Sequence, residues 1–138
     1  MKNYLLCLLI FVLSCNKIEP GSSLTHSQLN FLRSLNLLDP DEAVLSFYST
    51  YSRSANGNFI TNKRIASYWV DYRDPSRDRT EYAYYTDITG LDSSFTGPLT
   101  FCPYITVKRK DGEQFRTYFN DNDEELKKLF NKVSFFVS

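Results

Sequence analysis

The stretch Tyr104-Ile105-Thr106-Val107-Lys108-Arg109-Lys110-Asp111-Gly112-Glu113-Gln114-Phe115-Arg116-Thr117-Tyr118 decides the architecture of this chain. It lies within two β-rich segments, Leu99 to Arg109 and Glu113 to Asn120, that fold back on each other around Asp111-Gly112. Side chains on a strand alternate faces, so the register decides which residues meet. A two-residue loop would set Phe115 against Lys108 and Val107 against Arg116, mixing apolar and charged groups on both faces. A three-residue loop, Lys110-Asp111-Gly112, instead sets Val107 against Phe115 and Ile105 against Thr117. The spacing therefore predicts a type I turn with Gly112 left-handed in a bulge. Immediately downstream, Asn122 and Glu125 form a helix-cap signature. Leu126, Leu129, Phe130 and Val133 then fall on one helical face. Asp123, Glu124 and Glu125 at the start, with Lys127, Lys128 and Lys132 further on, suit the helix dipole. A sheet closed by an amphipathic helix follows.

Working back from that hairpin, β-branched and aromatic residues recur between turns. The reading places strands at Ala43 to Tyr51, at Asn58 to Thr61 after a tight reversal at Asn56-Gly57, and at Arg64 to Asp71 with Trp69. The polar loop Asp74-Pro75-Ser76-Arg77-Asp78-Arg79 precedes a strand at Glu81 to Ile88. A weak strand at Gly90 to Thr96 closes at Gly97-Pro98, for about seven strands in all. Ahead of them, Thr25 and Gln28 form a capping box, and Leu24 can staple onto Leu29. Leu29, Phe31, Leu32 and Leu35 line a short amphipathic helix from His26 to Asn36, ended by Asp39-Pro40.

The chain opens on a different kind of segment. Lys2 precedes the apolar run Leu5 to Leu13, which spans about 14 Å as a helix against a hydrocarbon core of roughly 30 Å. It is too short for a membrane span and has the layout of a secretory signal over residues 1–14. Val12-Leu13-Ser14-Cys15 resembles the bacterial lipobox. That resemblance implies cleavage before Cys15, acylation of its thiol, and a firm hold on a membrane through two or three acyl chains. Residues 15–24, polar with a Pro20-Gly21 break, read as a flexible tether, and residues 25–138 as the domain. With Cys7 removed and Cys15 acylated, Cys102 remains without a disulfide partner and reads as a small buried apolar group. The address is the cell envelope. Asn16 after Cys15 favours the outer membrane or cell surface over the inner membrane.

Several motifs resemble bacterial pleckstrin-homology-like domains: Asp41-Glu42 before the first strand, Gly57-Asn58-Phe59-Ile60-Thr61-Asn62-Lys63-Arg64, Asp111-Gly112, and Asp123-Glu124 opening the last helix. The likeness covers Leu38 to Val133. It implies a mainly β fold, a bent barrel of antiparallel strands with the C-terminal helix plugging one open end. An α+β cone of the cystatin or nuclear-transport-factor type would also accept a helix followed by a sheet, but accounts less readily for the final helix.

Composition narrows the function. The 138 residues carry no net charge, are 42% hydrophobic and 16% aromatic, and include only 5 Gly and 5 Pro. This suits one packed domain and gives no basic field for nucleic acid. His26 is the only histidine, and no Cys-x-x-Cys or His-Glu-x-x-His spacing offers a metal site. There is no Gly-x-Ser-x-Gly elbow, P-loop or dinucleotide glycine motif. Paired carboxylates brought together by folding stay open. The chain reads as a non-enzyme without a cofactor. Two patches could bind a partner. Tyr68, Trp69, Tyr72, Tyr82, Tyr84 and Tyr85 are either core packing or a recognition surface. Arg53, Lys63, Arg64, Arg73, Arg77 and Arg79 are interleaved with Asp71, Asp74 and Asp78, which blunt their field. The leading expectation is a lipid-anchored module that binds a protein or peptide. The alternatives are a small-molecule or lipid carrier with a cavity at the barrel mouth, or an inhibitor of an envelope enzyme or toxin. A filled interior would favour the module, and a cavity the carrier.

Overall fold

The computed structural model describes residues 17–97 and 101–138. The signal segment, the lipobox with Cys15, and the Pro98 and Leu99 positions of the turn and strand expected there lie outside the described residues. The chain builds two antiparallel sheets. One runs β1 (Glu19–Pro20), β2 (Val44–Tyr48), β3 (Asn56–Thr61), β4 (Arg64–Trp69) and β5 (Arg79–Tyr84), in sequence order. The other runs β6 (Ile88–Ser94), β7 (Tyr104–Arg109) and β8 (Gln114–Tyr118). Two helices complete the fold, α1 (His26–Ser34) and α2 (Asp123–Val137). None is long and apolar enough to cross a membrane among the described residues.

The β7–β8 hairpin adopts the register its side-chain alternation demands. Val107 lies opposite Phe115 and Ile105 opposite Thr117. Gly112 is left-handed at φ 87°, and its N–H donates to the Arg109 carbonyl. Val107 and Phe115 are thereby buried in a core with Ile60, Ile65, Ala83 and Ile105, which α2 closes with Leu126, Leu129 and Val133. The cap is as read: the Asn122 side chain accepts from the Glu125 N–H at 2.9 Å.

A second core lies on the other face of the five-stranded sheet. Phe47, Phe59, Ala66 and Tyr68 pack there against Leu24, Leu32, Leu37 and Leu38. Covered on both faces, β3 is buried at every residue. Thr25 and Gln28 make the reciprocal capping box of α1. The helix stops earlier than Asp39-Pro40. Asn36 turns left-handed at φ 60°, and the Leu37 N–H returns to the Leu32 carbonyl. This is a Schellman ending, with Leu32 against Leu37 as its expected apolar pair.

Three boundaries differ from the sequence reading. Asn56-Gly57 is not a reversal. Both residues are inside β3, and the chain turns instead between β2 and β3 around Ser52, whose carbonyl accepts from Ala55 and Asn56. Gly57 is needed for proximity: a Cβ there would lie 2.5 Å from the Tyr68 ring and 2.7 Å from that of Phe47. Glu81 to Ile88 is not one strand, because a 3-10 turn at Tyr85–Asp87 carries the chain from the first sheet to the second. Tyr85 anchors that turn, stacked 4.9 Å from Phe136 and donating to the Thr61 carbonyl. Finally, within the tether segment, Glu19 and Pro20 pair with Phe47 and Ser46, and Glu19 forms an ion pair with Arg53.

Candidate functional site

The six aromatic residues do not form one surface, because strand alternation separates them. Tyr82 and Tyr84 lie on the α1 side of the sheet, opposite Ala66 and Arg64. Their rings flank the Arg64 guanidinium at 5.0 and 4.9 Å. Tyr68 is buried edge-on to Phe31, with its hydroxyl donating to the Arg53 carbonyl. Tyr85 is buried in the barrel core. Burial pushes both phenols well above their ordinary value. Tyr72 is exposed in the β4–β5 loop, where its hydroxyl donates to the Ser54 carbonyl. Trp69 alone stands on the inner side of the sheet while remaining 51% exposed.

The basic residues divide in the same way. Arg64, by sequence a member of the basic patch, is 1% exposed and ion-paired to a fully buried Glu42 side chain at 2.7 Å. Nε of Arg64 donates to both Glu42 oxygens, at 3.1 and 2.9 Å, and Thr61 donates to Oε2 at 2.5 Å. Beside it, Lys63 pairs with Asp41 at 3.0 Å, and the Asn62 side chain accepts from the Ala43 N–H. Asp41-Glu42 and Thr61-Asn62-Lys63-Arg64, two motifs far apart in the chain, therefore interlock. Burial disfavours the Glu42 carboxylate, but the hydrogen bonds from Arg64 and Thr61 outweigh it and hold the group below its ordinary value. This region is structural, with both Glu42 oxygens and the Arg64 guanidinium hydrogen-bonded within the fold.

The inner face of the first sheet reads differently from one end to the other. Strand pairing lays its residues out in rows across β3, β4 and β5. Nearest the helix-plugged end the row is Ile60, Ile65 and Ala83. The next is Asn58, Ser67 and Glu81, and the outermost Asn56, Trp69 and Arg79. Polar side chains thus replace aliphatic ones toward the end of the barrel away from α2. There they line a cavity of about 310 Å³ with Tyr68, Arg116, Tyr118 and Cys102. Its walls combine aromatic rings with convergent polar groups, as small-molecule sites do.

Within it, Asn56 is 4% exposed. Its Oδ1 accepts from the Ser49 hydroxyl, and from the Thr50 N–H and hydroxyl, at 2.9, 3.1 and 3.2 Å. The backbone donor fixes which way the amide faces, because only oxygen can accept there. Nδ2 then has no hydrogen-bond partner among the described residues. A buried unpaired donor costs on the order of 1–3 kcal/mol, so it calls for an explanation. Asn58 is used otherwise, its Oδ1 accepting from the Tyr118 N–H at 3.0 Å and joining the two sheets. Cys102 is exposed at this cavity and not buried as its Phe101 and Pro103 neighbours suggested.

Glu81 is the one carboxylate among these lining residues, so the cavity holds no carboxylate pair. Among the described residues no three His, Cys, Asp or Glu gather in a metal-binding group. With aromatic rings and polar groups on its walls, the cavity can hold a small molecule. Of its residues, the sequence reading singled out Trp69, Tyr68 and Arg79. It passed over Asn56, Asn58, Ser67 and Glu81. The signal that could have found them is the alternation Asn56, Asn58, Ile60, polar on a face that turns apolar further along.

No family model and no curated protein matches the chain. Its structure, however, is similar to a crystal structure of a DUF1696-family protein with a pleckstrin-homology domain from Shewanella loihica PV-4. The TM-score is 0.58 at 10% identity, covering 89% of this chain and 99% of that one. The fold is pleckstrin-homology-like. A pleckstrin-homology domain from Shewanella amazonensis SB2B is similar as well, with a TM-score of 0.54 at 11% identity over 84% of this chain and 93% of that one. At such identities the likeness is one of fold, and the pleckstrin-homology-like barrel here has its own side chains at the open end.

Proposed function

We propose that this chain is a membrane-tethered, non-catalytic binding module whose ligand enters the open end of the barrel. The observation that carries the reading is the polar inner face at that end, where Asn56, Asn58, Ser67 and Glu81 line a cavity and the buried Nδ2 of Asn56 has no partner among the described residues. The lipobox-like Val12-Leu13-Ser14-Cys15 supplies the tether, and the acyl chains on Cys15 hold it at an envelope membrane, on the outer membrane or cell surface. The topology supports this placement. β1 pairs antiparallel with β2, so the chain enters it from the side of the β2–β3 loop, with Ile18 beside α2. One residue, Asn16, separates Lys17 from Cys15, and the two backbone steps span at most about 7 Å, which keeps the domain close to the bilayer. Tethering raises the effective concentration of the site there.

Two measurements test this. In a bacterial host, Cys15→Ser should move the protein from the membrane to the soluble fraction and remove the acyl mass; unchanged fractionation overturns the tether. The environment-sensitive dye 1-anilinonaphthalene-8-sulfonate should bind once per chain, with energy transfer from Trp69, the only tryptophan. Ser67→Phe, which fills the middle row, should abolish it. Absence of saturable binding overturns the cavity as the site. A second reading is a peptide partner laid over the rim, favoured by Tyr51 and Tyr72, which are 86% and 68% exposed. It predicts crosslinks from position 72 in place of dye binding.

A further inference from the structure

We propose that the cavity is a site for a small organic acid: a flat apolar body on Trp69, a carboxylate held by Arg79 and Arg116, and a second oxygen accepting from Nδ2 of Asn56. The inference rests on the binding reading above and names the ligand class for the same site. Its geometry follows from register. Asn56 is paired with Trp69, and Trp69 with Arg79, so three adjacent strands carry an amide donor, an indole and a guanidinium in one line on one face. Neighbouring strands are about 4.8 Å apart, so the backbones of Asn56 and Arg79 are separated by about 10 Å with the strand that carries Trp69 between them. A single aromatic ring bearing oxygen functions at opposite ends lies across three such strands, with its face on Trp69.

Charge selects the sign of the ligand. Neither Arg79 nor Arg116 has an ion-pair partner among the described residues, and the Arg116 guanidinium is held 4.3 Å over the Tyr104 ring. Arg53, Arg64 and Arg109 are by contrast each engaged with a carboxylate. Glu81 lies one row deeper than Arg79. It repels a second negative charge from the interior and keeps the anionic end of the ligand at the mouth. A monoanion with an apolar body fits this pattern; a compact multiply charged anion leaves the indole uncovered and faces Glu81. At the neutral end, an acceptor completes the valence of Asn56, which fold-internal groups leave open. Guanidinium to carboxylate is a strong, often bidentate, hydrogen-bonded pairing.

The test uses the intact protein in phosphatidylcholine nanodiscs, with calorimetry and Trp69 emission as readouts. 4-Acetylbenzoate, which has a carboxylate and a ketone across one ring, is the probe. Methyl 4-acetylbenzoate, benzoate and inorganic phosphate are the comparisons. The acid should bind saturably, the ester at least tenfold more weakly, benzoate several-fold more weakly, and phosphate without moving Trp69 emission. Asn56→Asp keeps the oxygen that accepts from Ser49 and Thr50 while replacing the free donor, and should weaken the acid at least tenfold. Arg79→Gln, on an exposed strand end, should do the same and guards against a folding effect at position 56. Failure of every acid to saturate overturns the proposal, as does acid affinity unchanged in both variants. Ester binding equal to acid binding overturns the acid while leaving the cavity a binding site.

Discussion

The interlock at Asp41-Glu42 and Thr61 to Arg64 and the open mouth around Asn56 are carried on the same strands, yet they treat buried polar groups in opposite ways. At the interlock, the Arg64 guanidinium and the Glu42 carboxylate meet with several hydrogen bonds, and the Tyr82 and Tyr84 rings cover the cation. At the mouth, a buried amide nitrogen has no partner and two guanidiniums have no carboxylate among the described residues. The first region uses polarity to hold the fold. The second leaves polarity available, which is what a ligand requires. Completeness of hydrogen bonding separates the two regions better than residue type does.

The sharpest contrast should come from breaking each region in turn. Glu42→Ala leaves Arg64 buried and unpaired, and urea unfolding should show a loss of about 3–5 kcal/mol. Ser67→Ala in the mouth should cost no more than about 0.5 kcal/mol, since it removes a half-buried hydroxyl from a wall of the cavity. Comparable losses at the two sites would erase the distinction. Next in size is Gly57→Ala, where a methyl would press on the Tyr68 and Phe47 rings. Overpacking of this kind costs about 1–3 kcal/mol, read from the same unfolding curves.

Acid should act on the interlock more than on the mouth. Glu42 is held below its ordinary value of 4.5, so its contribution is fully present above that value and is lost as pH falls through the lowered folded-state value. Urea midpoints measured from neutral pH downward should therefore decline below about pH 4.5, the ordinary carboxyl range. In Glu42→Gln that limb should be shallower, the residual slope coming from exposed carboxylates such as Asp41 and Asp111, which shift the same way. A smaller loss than at Gly57 is expected for Gly112→Ala in the β7–β8 turn. Nothing lies within 4 Å of the added methyl, so only the left-handed backbone at φ 87° is strained. The expected cost is about 1 kcal/mol.

These regions were not equally legible in the sequence. The β7–β8 register could be read because Val107, Ile105 and Phe115 are apolar, and only one loop length puts them on one face. The caps of both helices were legible because Thr25 with Gln28 and Asn122 with Glu125 act over three residues. The interlock was visible as two motifs but not as a contact, since nothing local joins Glu42 to Arg64. The mouth was hidden for a stronger reason. Asn-Gly is the common signal of a tight hairpin, and in this chain tertiary packing overrides it: Gly57 makes room for Tyr68 and Phe47, and Asn56 ties down Ser49 and Thr50. Reading that pair as a turn removed the outermost row from the sheet. The aromatic cluster misled similarly, because Tyr68, Tyr82 and Tyr84 share a face that Trp69 and Glu81 do not.

The most direct test of the mouth as a binding site is the side-chain amide signal of Asn56 in a 15N-labelled sample titrated with 4-acetylbenzoate. A saturating downfield shift of the Nδ2 protons, absent with the methyl ester, is the expected result. An Asn56 signal that stays in place while the acid binds elsewhere on the domain would contradict the account.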